Sequence, residues 1–90
     1  MESTKKKLAI VTGAARGIGL ATAKLFSQNG YKVAIVDRDI NELSNLSLAN
    51  NSMKSFCYDI SDFNNVEMMY QEILEWHDRV DVLVNNAGVA

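Results

Sequence analysis

The sequence predicts an α/β fold in which a parallel sheet is assembled through crossover helices. Three observations predict it. Four short aliphatic runs alternate with three longer amphipathic segments, a glycine cluster punctuates the first junction, and proline is absent from all 90 residues, so no element is interrupted.

The first run, Lys7 to Thr12, contains Leu8, Ala9, Ile10 and Val11, the unbroken apolar pattern of a buried strand. Gly13 to Gly17 punctuates it. From Gly17 to about Asn29, Ile18, Ala21, Leu25 and the neighbouring Phe26 recur at helical spacing, and Gly30 stands where a helix-ending glycine is expected. Lys32 to Val36 is the second apolar run, ending in Asp37. Asp39 lies three residues ahead of Glu42, the layout of an aspartate-based capping box. The helix it opens carries Leu43 and Leu46 and fades into Ala49, Asn50, Asn51 and Ser52. Ser55 to Tyr58 makes a short third strand closed by Asp59. Ser61 or Asp62 can cap a third helix in which Phe63, Val66, Tyr70, Ile73 and Leu74 share one face. Val80, Val82, Leu83 and Val84 then form a fourth strand that runs into Asn85-Asn86-Ala87-Gly88.

Composition bounds the function. Ninety residues with 48% apolar content make one domain with a marginal core. A net charge of −2 gives no sign of nucleic-acid or membrane binding. Lys5, Lys6 and Lys7 precede too short an apolar run for a signal peptide and read as a solvated end leading into a strand. No apolar stretch is long enough to span a bilayer. Cys57 is alone, which excludes an intramolecular disulfide and suits a reducing, cytoplasmic setting. Between Phe56 and Tyr58 it reads as a small packed thiol rather than a nucleophile. His77 falls in a polar loop and has no partner at ligand spacing, so no metal site is expected.

The chemistry lies in Thr12-Gly13-Ala14-Ala15-Arg16-Gly17-Ile18-Gly19, between the first strand and the first helix. A helix N-terminus presents unpaired backbone N–H groups and a positive dipole end, which attract phosphate. Side chains there would hold a pyrophosphate away, so glycines permit close approach and let the helix pack tightly on the sheet. Glycines serving only a tight turn are the alternative for this segment taken alone. The spacing is Gly-x-x-x-Gly-x-Gly rather than the commoner G-x-G-x-x-G.

Thr12 to Gly19 resembles the cofactor motif of the short-chain dehydrogenase/reductase family, and Asn85-Asn86-Ala87-Gly88 resembles that family's second landmark at the family's separation. The resemblance covers essentially the whole chain. It implies a Rossmann-type doubly wound sheet of strand order 3-2-1-4, truncated after the fourth strand. It also implies a nicotinamide dinucleotide cofactor. Gly13, Gly17 and Gly19 match the phosphate-loop glycines, with Arg16 and Ile18 lining the same turn. Asp59 and Ile60 match the pair that contacts the adenine ring, although Asp59 taken alone could be a turn or capping aspartate. Asn86, Ala87 and Gly88 match the segment beneath the adenine-side ribose, while Asn85 ties neighbouring strands together.

Asp37 ends the second strand about 20 residues past the glycine loop, where a carboxylate accepts hydrogen bonds from the adenosine ribose hydroxyls. The same carboxylate repels a 2′-phosphate. Charged hydrogen bonds worth roughly 1.5–3 kcal/mol correspond to about a ten- to hundredfold preference for NAD. Arg38 and Arg16 argue for NADP, since basic residues at both places accompany the phosphorylated cofactor in related members. Side-chain alternation is expected to turn Arg38 away from the site, so NAD is the expected cofactor.

The family's catalysis uses a Tyr-x-x-x-Lys pair and an upstream serine. The lysine lowers the tyrosine pKa, so that the phenol moves a proton to or from the substrate oxygen as hydride moves to or from nicotinamide. Tyr31, Tyr58 and Tyr70 are followed four positions later by Ile35, Asp62 and Leu74, so none fits and no catalytic residue is assigned. Residues 1–90 are therefore expected to be a partial dinucleotide-binding domain, inactive alone. The complete protein would interconvert a small-molecule alcohol and carbonyl and assemble as a homo-oligomer. A non-catalytic nucleotide-binding module, or a truncated partner of an intact relative, is the alternative. Val80 to Val84 would be an exposed apolar edge, and the isolated chain is expected to be poorly stable and to associate.

Overall fold

A computed structural model describes residues 5–46, 48 and 52–86. Strand β1 (Leu8–Thr12), helix α1 (Gly17–Gln28), β2 (Lys32–Asp37), α2 (Ile40–Ser44), β3 (Met53–Cys57), α3 (Phe63–Trp76) and β4 (Val82–Val84) follow one another in chain order. The four strands form one parallel sheet of order β3-β2-β1-β4. Leu8 to Thr12 pair with Lys32 to Val36, Ala9 to Val11 with Val82 to Val84, and Val33 to Asp37 with Met53 to Cys57. The expected α/β class and the 3-2-1-4 order are both present.

Alternation along the central strands supplies both cores. Leu8, Ile10, Ala34, Val36 and Phe56 pack with Met69 and Ile73 of α3 on one face. On the other face Val11, Val33 and Ile35 pack with Ala23 of α1 and Leu43 of α2. Both faces of β1 and β2 are covered, which is why Leu8 to Val11 and Val33 to Val36 are apolar without a break. Helix α1 ends in a glycine-based cap. Gly30, at φ 88°, donates to Ser27 O at 3.2 Å, and Tyr31 N–H donates to Phe26 O at 3.1 Å. The Phe26 and Tyr31 rings meet edge-on at 5.0 Å across that turn.

Five details depart from the sequence expectations. On α1 the apolar repeat is not the buried face: Ile18 is 77% and Leu25 60% exposed, whereas Gly19 and Ala23 are buried. Gly19 and Ala23 lie at the closest approach of the helix to the sheet, and of the expected repeat Phe26 packs against the core at the helix end. On α3 the buried line runs through Met69 and Ile73, with Trp76 packed against Phe56 at 5.8 Å; Phe63 (76% exposed) and Leu74 face outward. β3 starts at Met53 rather than Ser55, and β4 is shorter than expected at Val82–Val84. Cys57 is exposed rather than packed, because alternation along β3 turns Phe56 inward and Cys57 outward. It donates a long Sγ contact of 3.7 Å to Arg38 O.

β4 lies at one edge of the sheet, with Leu83 and Val80 exposed beside it. At the opposite, N-terminal end of the strands Asp81 anchors β1. It accepts Leu8 N–H at 2.9 Å and both Arg79 Nε at 2.8 Å and Arg79 Nη2 at 2.6 Å. Lys5 pairs with Asp78, and His77 Nε2 donates to Lys6 O at 2.6 Å.

Candidate functional site

All four strands end at one rim, and the segments leaving them enclose a cleft of about 760 Å³, within the usual size range of a ligand site. It sits where the chain order reverses, with β2 on one side of β1 and β4 on the other. In open α/β sheets this switch point, at the carboxyl ends of the strands, is where ligands bind.

The floor is the loop from β1 to α1. Gly13 and Gly17 have φ of 61° and 62°, a left-handed backbone that a side chain would strain. Ala14 N–H donates to Val36 O at 3.1 Å, and Ala15 N–H donates to Asp37 Oδ2 at 3.1 Å. The end of β2 therefore holds the loop in place. Arg16 is the N-cap of α1 but makes no side-chain capping hydrogen bond, and no acidic residue lies in the first turn. The first N–H groups of a 12-residue helix thus carry no side-chain acceptor, as an anion-binding terminus requires.

Gly19 sits beneath this loop. A Cβ there would lie 2.2 Å from Gly13 O and 2.7 Å from Asn86 Nδ2, so the third glycine is needed for close packing. Asn86 Nδ2 donates to Gly13 O at 3.2 Å, and Asn86 N–H donates to Thr12 Oγ1 at 3.0 Å. The Thr12 hydroxyl in turn lies 3.2 Å from Asn85 Oδ1 and 3.4 Å from Val84 O. The strand tie expected of Asn85 is thus shared, and Asn86 makes most of it.

The acidic wall belongs to β2 and its exit. Asp37 accepts Ala15 N–H on one oxygen and Asp39 N–H, at 3.0 Å, on the other. Asp39 caps α2 by accepting Asn41 and Glu42 N–H, each at 3.1 Å. The capping box is half-formed: Asp39 N–H is already engaged by Asp37, and Glu42 instead faces Arg16, with Oε1 3.9 Å from Nη1. Arg38 lines the cleft and does not turn away from it. β2 ends at Asp37, so strand alternation no longer governs the next residue.

Beyond β3, Tyr58, Asp59, Ile60 and Ser61 close the far side. Asp59 Oδ1 accepts Ser61 Oγ at 2.7 Å and Ser61 N–H at 3.0 Å. These bonds, with the nearby Arg38 charge, hold its carboxyl below the usual aspartate range. Asp59 is therefore both a turn aspartate and a cleft residue. Tyr58 donates to Glu72, which holds its phenol above the ordinary tyrosine value.

Of the residues singled out from sequence, Gly13, Arg16, Gly17, Asp37, Asp59, Ile60 and Asn86 line one cleft. Gly19 supports it from below, and the Ile18 side chain is exposed outside it. Ala87 and Gly88 lie outside the described residues. Sequence reasoning missed Tyr58 and Ser61 as cleft residues and read Asp39 and Glu42 only as caps. The signal was available, since each lies within about five residues of a strand's carboxyl end. No group of three or more metal-ligating side chains occurs among the described residues, and no helix there is long and apolar enough to cross a membrane.

A doubly wound parallel sheet with a glycine loop and a strand-end acid at its switch point defines a dinucleotide-binding fold. Residues 7–90 match the model of the short chain dehydrogenase family, and the chain belongs to that family of oxidoreductases. It is 37% identical over 86 residues to an NAD-dependent glycerol dehydrogenase of Listeria innocua, covering 93% of this chain and 34% of that protein. A metagenomic short-chain oxidoreductase solved in complex with NADP superposes with a TM-score of 0.82 at 36% identity, covering 97% of this chain and 42% of the other. A 3-ketoacyl-(acyl-carrier-protein) reductase from Brucella melitensis, complexed with NADH, gives a TM-score of 0.81 at 33% identity, covering 90% and 34%. The chain spans between 31% and 39% of the length of the first curated relatives it matches.

Proposed function

We propose that these residues form the cofactor-binding part of a nicotinamide-dependent oxidoreductase that interconverts alcohols and carbonyls, with NAD favoured over NADP. The observation that carries the proposal is the Asp37 carboxylate, at the end of β2 and hydrogen-bonded to the glycine loop through Ala15. One group thus shapes the phosphate loop and presents charge to the ribose position beside it. The solved relatives with NADP and with NADH support a nicotinamide dinucleotide in either form, and the Listeria relative supports the unphosphorylated one.

In this reading the loop N–H groups at the start of α1 bind the pyrophosphate. Asp37 accepts from the ribose hydroxyls, Asp59 and Ile60 border the adenine, and Asn86 lies beneath the ribose. Bound nicotinamide supplies hydride donation or acceptance. The residues described here bind and orient the adenosine half. Proton transfer to the substrate requires a Tyr-x-x-x-Lys pair, and none of Tyr31, Tyr58 and Tyr70 belongs to one. The 90 residues by themselves are accordingly proposed to be a partial domain that binds nucleotide without turnover. Substrate oxidation, homo-oligomer assembly and a cytoplasmic setting are proposed for a polypeptide that also carries the catalytic pair. The alternative reading is a non-catalytic module that binds nucleotide alone or pairs with an intact relative.

Calorimetric titration with NAD and NADP tests the cofactor assignment. NAD is expected to bind about ten- to a hundredfold more tightly, the range set by charged hydrogen bonds to Asp37. Equal affinity, or tighter NADP binding, overturns the NAD assignment. Hydride-transfer assays on the native polypeptide separate the enzyme from the module.

A further inference from the structure

The adenosine end of the cleft holds two cations, Arg16 and Arg38, and four acids, Asp37, Asp39, Glu42 and Asp59. Three of the acids have evident local work. Asp37 holds two backbone N–H groups, Asp39 caps α2, and Asp59 is tied to Ser61 and lies near Arg38. Glu42 differs. The backbone N–H that a capping-box glutamate would take is occupied by Asp37, and its carboxylate faces the loop cation instead, 3.9 Å from Arg16.

We propose that Glu42 is a specificity-determining positioning residue that acts through Arg16, withholding the loop guanidinium from a phosphate on the 2′-oxygen of the bound nucleotide. The proposal rests on the cleft being a dinucleotide site. Arg16 follows Ala15, whose N–H is held by Asp37, so the guanidinium is tethered one residue from the position at which the ribose is read. Unopposed, it would pair with a 2′-phosphate. With a carboxylate within 4 Å, a dianionic group must displace that carboxylate and then sit beside it. Discrimination therefore arises from repulsion as well as from a lost attraction. The Arg16 and Glu42 side chains are 79% and 41% exposed, so the effect is modest and weakens as salt is raised.

The test compares adenosine 2′,5′-bisphosphate with adenosine 5′-monophosphate, titrated calorimetrically into the full chain and its variants. Glu42→Gln and Glu42→Ala are each expected to shift the affinity ratio toward the bisphosphate by about two- to fivefold. The shift should disappear when Arg16→Gln is added and shrink at high salt. Monophosphate binding that persists while the ratio stays unchanged in both variants overturns the role of Glu42 and leaves the nucleotide site standing. A shift that survives Arg16→Gln also overturns it, because the effect is then one of general charge. Failure of the unsubstituted chain to bind either nucleotide removes the site and this proposal together.

Discussion

The Asp37 carboxylate accepts the Ala15 backbone N–H at 3.1 Å, across 22 positions of sequence. The acid that ends β2 is thus part of the same rigid unit as the glycine loop that follows β1. Replacing it should therefore change both recognition and loop order. Asp37→Asn keeps one oxygen able to accept Ala15 N–H but removes the charge and turns its NH2 toward Asp39 N–H, so one of the two hydrogen bonds is lost. The NAD-to-NADP affinity ratio is expected to fall by about tenfold with a stability loss of about 0.5–1.5 kcal/mol, and Asp37→Ala should weaken both cofactors. Parallel titration and thermal unfolding of the two variants separates the two roles.

Gly19→Ala places a methyl carbon 2.2 Å from Gly13 O, and the obstacle is backbone rather than a flexible side chain. Helix α1 must move off the sheet to accept it. A loss of about 1–3 kcal/mol in unfolding free energy, accompanied by loss of nucleotide binding, is expected in urea denaturation and titration.

Thr12→Val preserves shape and removes the hydroxyl that accepts Asn86 N–H at 3.0 Å. Asn86 N–H retains Val84 O at 3.2 Å, so the expected cost is only about 0.5–1.5 kcal/mol. The larger effect should be on the Asn85–Asn86 segment, read as faster amide exchange there than in β2.

Acid unfolding should reveal the anchor at the opposite rim. Arg79 hydrogen bonds first, then Leu8 N–H, hold Asp81 below its ordinary carboxylate value. A folded pKa below the unfolded one means that the stabilisation is complete above the ordinary aspartate value of about 3.9. It declines as pH drops below that value and is lost once pH has fallen through the lowered folded pKa. Asp78, held down by Lys5, and Asp59, held down by Ser61, act in the same direction. Asp81→Asn is expected to flatten the acid limb of a stability–pH profile and to lower stability at neutral pH.

The order of elements was legible because it rests on period and punctuation: aliphatic runs, Gly30, and acids at helix starts; the strand order followed only from the family resemblance. The contact face of α1 was not legible. A repeat of Ile18, Ala21 and Leu25 suggests the buried side, yet close approach to the sheet selects Gly19 and Ala23, which carry no hydrophobic signal. Within the cleft, Asp37 and the glycines could be placed because each ends or begins an element. Arg38 could not, since alternation stops where β2 does. Glu42 was legible as a cap but not as the partner of Arg16, because Asp37 takes the N–H that the cap would have used.

The outward Ile18 and Leu25 of α1, and Leu83 on the β4 edge, leave apolar surface open to water. The 90-residue chain alone is expected to self-associate. Leu25→Lys with Leu83→Lys should shift its sedimentation toward monomer, and an unchanged distribution would locate association elsewhere.

The cleft at the carboxyl ends of the strands is proposed to bind a nicotinamide dinucleotide. Backbone amide chemical shifts recorded while NAD is added test it most directly. Saturable shifts are expected, concentrated at residues 13–19, 37–38, 59–60 and 86, with little change at Asp78 to Asp81. No saturable shift in those segments, or shifts confined to the Asp81 rim, would contradict it.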